Sequence, residues 1–77
     1  MTELTFGEKL VRLNHKGTAP SDSCKKEYAV IIDKINDLRN NTENPDEKRW
    51  YSLAITDLEQ SCMWAVKALT NELHNGH

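Results

Sequence analysis

Apolar residues recur along this chain in three blocks separated by short polar stretches. In the first block, Phe6, Leu10 and Leu13 fall at helical spacing, and Thr5-Phe6-Gly7-Glu8 matches a capping box. The pattern predicts a short amphipathic helix over about 5–13, weakened by Gly7 by up to ~1 kcal/mol relative to alanine. Residues 14–20 read as a polar loop holding Gly17 and Pro20. The second block, from about 22 to 40, carries Cys24, Tyr28, Ile31, Ile35 and Leu38, a seam of period 3.5, with Ser21 as its expected cap after Pro20. The third block has the strongest start signal: Asn44 as cap, Pro45 at the first helical position and Glu47 three residues after the cap. Its seam of Tyr51, Ile55, Leu58, Cys62, Ala65 and Leu69 predicts a helix to about residue 73.

These elements make an all-α chain, a short N-terminal helix followed by a long antiparallel helical hairpin, read as one domain over 1–77. At ~1.5 Å per residue the second helix would be roughly 28 Å long and the third roughly 43 Å. A hairpin closing near residues 40 and 45 sets Cys24 beside residue 61, close to Cys62. The segment from Trp64 to Leu73 then overhangs its partner. The stretch Cys62-Met63-Trp64-Ala65-Val66-Lys67-Ala68-Leu69, most of it in that overhang, is apolar on nearly every side and calls for burial. Trp50, Tyr51 and Leu53 likewise exceed a single seam near the hairpin tip. The pattern predicts self-association.

Composition narrows the function. Net charge is −2 and the pI about 5.9, which disfavours duplex DNA or RNA as a partner, because such binding rests on many phosphate contacts from Lys and Arg. No apolar run approaches the ~20 residues of a membrane span. Met1-Thr2-Glu3-Leu4 lacks a basic start and apolar stretch, so a cytosolic location is expected. Cys24 and Cys62 have no metal-ligand spacing, and His15, His74 and His77 have no i,i+4 partner. No glycine-rich phosphate loop or nucleophile set stands out. No cofactor, metal or catalysis is expected.

Two constellations remain. Lys9, Arg12, Lys16, Lys25 and Lys26, with His15, face the single acid Asp22 between residues 9 and 26. The plain reading is a solvated face. The functional reading is anion capture, with Asn14, His15, Lys16 and Thr18 as loop donors beside the start of the second helix. Trp64, Lys67 and Thr70 share one stripe of the third helix. Either Trp64 anchors an oligomer beside exposed neighbours, or several copies of the stripe converge about an axis where an anion would neutralise the lysines. Cys24 and Cys62 are expected to face one another as thiols.

Leu4-Thr5-Phe6-Gly7-Glu8, Tyr28-Ala29 with Ile32-Asp33 and Leu38-Arg39, Leu53-Ala54-Ile55-Thr56, and above all Met63-Trp64-Ala65-Val66-Lys67-Ala68 are similar to small phage proteins of the anti-CBASS sponge family. That family shares its helical-hairpin domain with some Thoeris-countering sponges, and the resemblance covers nearly the whole chain. It implies a homohexamer in the host cell cytoplasm that binds cyclic di- and trinucleotide immune signals without cleaving them. Cyclic dinucleotides would lie between protomers, near the N-terminal segment and the start of the second helix. Cyclic trinucleotides would lie where third helices meet around a threefold axis. Some related sponges also take cyclic ADP-ribose derivatives.

Carried onto this sequence, the family's phosphate-contacting lysine matches Lys25, with Lys26 adjacent. Its third-helix cation matches Lys67, next to Trp64, with Thr70 one turn on. Many members carry an Asn-Pro-Ser-type turn where this chain has Asn14-His15-Lys16-Gly17-Thr18. The expected dinucleotide site is Lys25, Lys26, Lys16, His15, Asn14 and Leu10; the expected trinucleotide site is Lys67, Trp64 and Thr70. Phosphates would pair with lysines, and bases would rest on Leu10, Leu13 or His15. The alternatives are a helical protein-interaction or assembly module using the Trp64 stripe, and, more weakly, an enzyme that degrades the messenger.

Overall fold

The computed structural model describes residues 3–13 and 19–74, which form three helices and, among the described residues, no strand: α1 (Phe6–Leu10), α2 (Ala19–Asn41) and α3 (Pro45–His74). None of these helices is long and apolar enough to cross a membrane.

α1 starts where the capping box places it. The Glu8 N–H donates to Thr5 Oγ1 at 3.1 Å, and the Thr5 N–H donates to Glu8 Oε1 at 2.8 Å. The helix stops at Leu10, three residues short of the expected end, because the chain closes a Schellman cap. The Leu13 N–H donates to the Glu8 carbonyl at 2.9 Å and the Arg12 N–H to the Lys9 carbonyl at 3.1 Å. Arg12 occupies the left-handed position of this cap, with φ 57°, where glycine is usual. The cap turns Leu13 inward, so Leu10 and Leu13 keep their spacing although the helix has ended.

Gly7 sits against α2. Its N–H donates to Asp33 Oδ1 at 2.6 Å. A Cβ at this position would collide with the Ala29 carbonyl oxygen and stand 2.9 Å from Asp33 Oδ1. The small helix penalty of this glycine is the cost of laying α1 directly on the backbone of α2.

α2 begins at Ala19, three residues before the expected start, which corrects the assignment of Ser21 as cap. Ser21 lies inside the first turn and is buried, and Pro20 occupies a first-turn position where a missing N–H costs little. The buried face also differs from the expected seam. Ala29 and Ile32 are buried, Ile32 completely, whereas Ile31 and Leu38 are exposed. A period of 3.5 describes a helix with one partner. α2 has two, α1 on the Gly7–Asp33 side and α3 on the Tyr28–Arg39 side, and the residues between those contacts are the ones enclosed.

α3 is capped by Asn44, whose Oδ1 accepts from the N–H groups of Asp46 at 2.9 Å and Glu47 at 3.2 Å. Glu47 does not reach back to Asn44. Thr42 stands between them, accepting from the Asn44 N–H at 3.2 Å and donating to Glu47 Oε1 at 2.6 Å. The α3 seam behaves as expected: Ile55 and Cys62 are buried, and Tyr51, Leu58, Ala65 and Leu69 are half-buried. The register is shifted, however. Tyr28 Oη and Ser61 Oγ are 2.6 Å apart, and Arg39 Nη1 donates to Ser52 Oγ at 3.0 Å. Extending the Tyr28–Ser61 pairing puts Ala19 opposite about residue 70. The overhang is therefore shorter than the expected 64–73.

The molecule is thin, with principal extents of 49 × 29 × 12 Å and a radius of gyration of 14.2 Å, against roughly 11–12 Å for a compact chain of this length. Its core is correspondingly small: Val11, Leu13, Ala29, Ile32, Ile55 and Cys62, with Leu10, Tyr28, Ile35, Leu58 and Val66 packed around them. Large apolar side chains remain on the surface, Trp64 (69% exposed), Met63, Trp50, Leu53 and Val30 among them.

Gly7→Ala is expected to destabilise the chain by about 1–3 kcal/mol, the cost of overpacking, seen as a lower urea midpoint. An unchanged midpoint would show that α1 can lift from α2 freely.

Candidate functional site

The cap of α1 brings backbone and side chains to the junction of all three helices. Leu10, Val11 and Arg12 form one wall of a groove of about 420 Å³; Lys25 contributes from α2, and Glu59, Cys62, Met63, Val66, Lys67 and Thr70 line it from α3. The volume falls within the ~300–1,000 Å³ range of small-molecule sites. The floor is apolar and the rim carries three cations, Arg12, Lys25 and Lys67, against one acid, Glu59.

Lys25 is fixed in this groove. Its Nζ donates to the Arg12 carbonyl at 3.1 Å, an acceptor that the left-handed turn leaves free of helical pairing. Lys26 behaves differently: its Nζ lies 3.9 Å from Asp22 Oδ2 on an exposed flank, and it does not line the groove. Of the two adjacent candidates, only Lys25 lines the groove. Leu10 shares the same groove. Asn14, His15 and Lys16 lie outside the described residues.

Lys67 stands at a border. It lines the first groove, and its Nζ lies 5.4 Å from the centroid of the Trp64 ring, a cation–π distance. On that side a second groove of about 580 Å³ is lined by Glu59, Gln60, Met63, Trp64 and Lys67. Trp64 and Lys67 are thus brought together as expected. Thr70 lines the first groove instead, and its hydroxyl donates back to its own helix, 2.9 Å from the Val66 carbonyl and 3.1 Å from that of Lys67. Its oxygen remains able to accept a hydrogen bond.

Cys24 and Cys62 are free thiols. Burial pushes the Cys62 thiol up from its ordinary range, the nearby Cys24 adds to this, and the charge of Lys25 offsets part of it. The shift of Cys62 is opposite in direction to that of an activated thiol nucleophile.

Sequence reasoning grouped Arg12 only with the basic window and gave Met63 and Val66 no role in a site. No residue type announces a left-handed turn at an arginine, so the wall it builds was not visible.

The fold and groove define a small all-helical hairpin protein with an apolar, cation-rimmed recess at the junction of its helices. A family model described as Acb2/Tad1, hairpin domain, matches residues 8–70. The chain belongs to that family, the anti-CBASS and Thoeris sponges, whose general role is to bind cyclic-nucleotide signals. No curated protein and no solved structure matches the chain.

Because Cys62 is buried and Cys24 only half-buried, iodoacetamide at pH 8 is expected to label Cys24 first in the folded chain, with Cys62 following only on unfolding. Mass mapping of the labelled peptides checks this, and equal labelling would contradict the packing described.

Proposed function

We propose that this protein sequesters cyclic oligonucleotide immune signals in the host cytoplasm by binding alone, as a homo-oligomer of the hexameric kind known in its family. Cyclic dinucleotides are held in the groove by Lys25 over a floor including Leu10, and Asn14, His15, Lys16 and Lys26 are the further contacts proposed. Cyclic trinucleotides are held by Lys67, Trp64 and Thr70 drawn from several copies. Related cyclic ADP-ribose derivatives fit the same chemistry of phosphates beside an apolar floor.

One observation carries this reading: in a chain of this family, Lys25 is tethered by its ammonium at the rim of an apolar groove of ligand size. Two physical arguments support it. A sponge acts by mass action and needs tight binding; a 1 nM site corresponds to about −12.3 kcal/mol. Enclosing ~70–90% of a ligand is usual for such sites, and a slab 12 Å thick has no depth for that by itself. A second copy laid on the exposed Met63–Trp64 surface supplies the missing cover.

Incubation with a cyclic dinucleotide, removal of free ligand, heat denaturation and chromatography of the released material tests the reading. The ligand is expected to be retained and returned intact. Release of linear product would identify an enzyme, and failure to retain any ligand would favour an interaction module.

Lys25→Ala is expected to weaken dinucleotide binding by about 1.5–3 kcal/mol, the value of a hydrogen bond to a charged group, measured by calorimetry. Unchanged affinity would remove Lys25 from the site. Lys67→Ala is expected to impair trinucleotide capture far more than dinucleotide capture, because Lys67 borders both grooves but its ammonium lies over the Trp64 ring. Equal loss of both would contradict separate sites.

A further inference from the structure

Arg12 holds a conformation that its side chain does not favour. At φ 57° in the left-handed slot of the α1 cap, a residue with a Cβ costs more than glycine. The turn itself needs only backbone: two cap hydrogen bonds donated by the N–H groups of Arg12 and Leu13, and the Arg12 carbonyl that holds Lys25. Glycine would make all three with less strain. The side chain must therefore be accounted for by something other than the turn.

The groove supplies that account. Arg12 is exposed, lines the groove beside Lys25, and has no ion pair among the described residues. It differs in this from Lys26, which has Asp22, and from Arg39, whose guanidinium donates to Ser52 and Asn36 and lies over the Phe6 ring. A cyclic dinucleotide carries two phosphodiesters. Lys25 can meet one as a point charge, and a planar guanidinium can grip the other through two parallel N–H donors.

We infer that Arg12 is a phosphate-binding residue of the groove, paired with Lys25, and that its left-handed backbone is tolerated for the sake of its side chain. This assignment rests on the proposed cyclic-nucleotide role. It divides the labour within one residue, the carbonyl aiming Lys25 and the guanidinium contacting ligand.

Arg12→Gly separates the two tasks, because it keeps the turn and its carbonyl while deleting the guanidinium. Thermal melting and calorimetric titration with 3′,3′-cyclic di-AMP and 3′,3′-cyclic GMP-AMP are measured on wild type, Arg12→Gly and Arg12→Lys. In Arg12→Gly the melting point is expected to hold or rise while affinity falls about 10- to 100-fold, the range for a hydrogen bond to a charged group, with a shallower dependence on salt. Arg12→Lys is expected to recover part of the affinity. Wild-type affinity in Arg12→Gly, with the wild-type chain binding a probe, overturns the assignment and leaves the sponge reading standing. A fall in melting point together with affinity also overturns it, since the arginine would then be structural. A wild-type chain that binds neither probe overturns both.

Discussion

The contact between Gly7 and the backbone of α2 governs the geometry of everything that follows it. A five-residue helix has almost no stability of its own; α1 is held by its capping box, by Asp33 accepting the Gly7 N–H, and by a close approach that only glycine permits. From that fixed point the chain has six residues in which to end the helix and turn back. The Schellman cap does so, and it delivers Leu10, Val11 and Arg12 to the edge of α3. Without the approach at Gly7, the groove would lose one wall and Lys25 would lose the carbonyl that orients it.

The second constraint is thickness. Three helices arranged in a slab give two faces and little interior, so Ile32 is the one large side chain among those described that is fully enclosed. The same arrangement leaves Trp64, Met63, Trp50 and Leu53 in water. Scattered exposed apolar residues are ordinary on protein surfaces. Here two pairs of large ones stand on one helix, Trp50 and Leu53 in its first third and Met63 and Trp64 just past its middle, and the groove proposed for ligand lies beside the second pair. In the proposed assembly, self-association and ligand enclosure draw on the same surface, and an anion between lysines of neighbouring copies would bind them as well as be bound.

Much of the fold was legible because local signals agreed with one another. Thr5–Glu8 and Asn44–Pro45 marked helix starts, and the 3.5-residue spacing of α3 named its inward face. The error in the buried face of α2 has a plain cause, which is that periodicity describes a helix with one neighbour. α2 has two, so Ala29 and Ile32 replaced Ile31 and Leu38 as its buried face, and the hairpin register moved with the Tyr28–Ser61 and Arg39–Ser52 pairs. The site was legible in part. Charge clustering put Lys25 in a basic window with Lys9, Arg12, Lys16 and Lys26, the family resemblance singled it out as a candidate, and stripe spacing placed Trp64 with Lys67. What no pattern could show was a left-handed arginine, nor that Thr70 would face the Lys25 groove and not the Trp64 side.

The central claim is that this hairpin completes itself with further copies and encloses an intact cyclic nucleotide at their junction. Native mass spectrometry of the chain mixed with a cyclic dinucleotide reads both halves at once. The account predicts a multimer of the 8.8 kDa subunit carrying the added mass of uncleaved ligand. A folded monomer with no added mass, at concentrations where the protein is soluble, would contradict it.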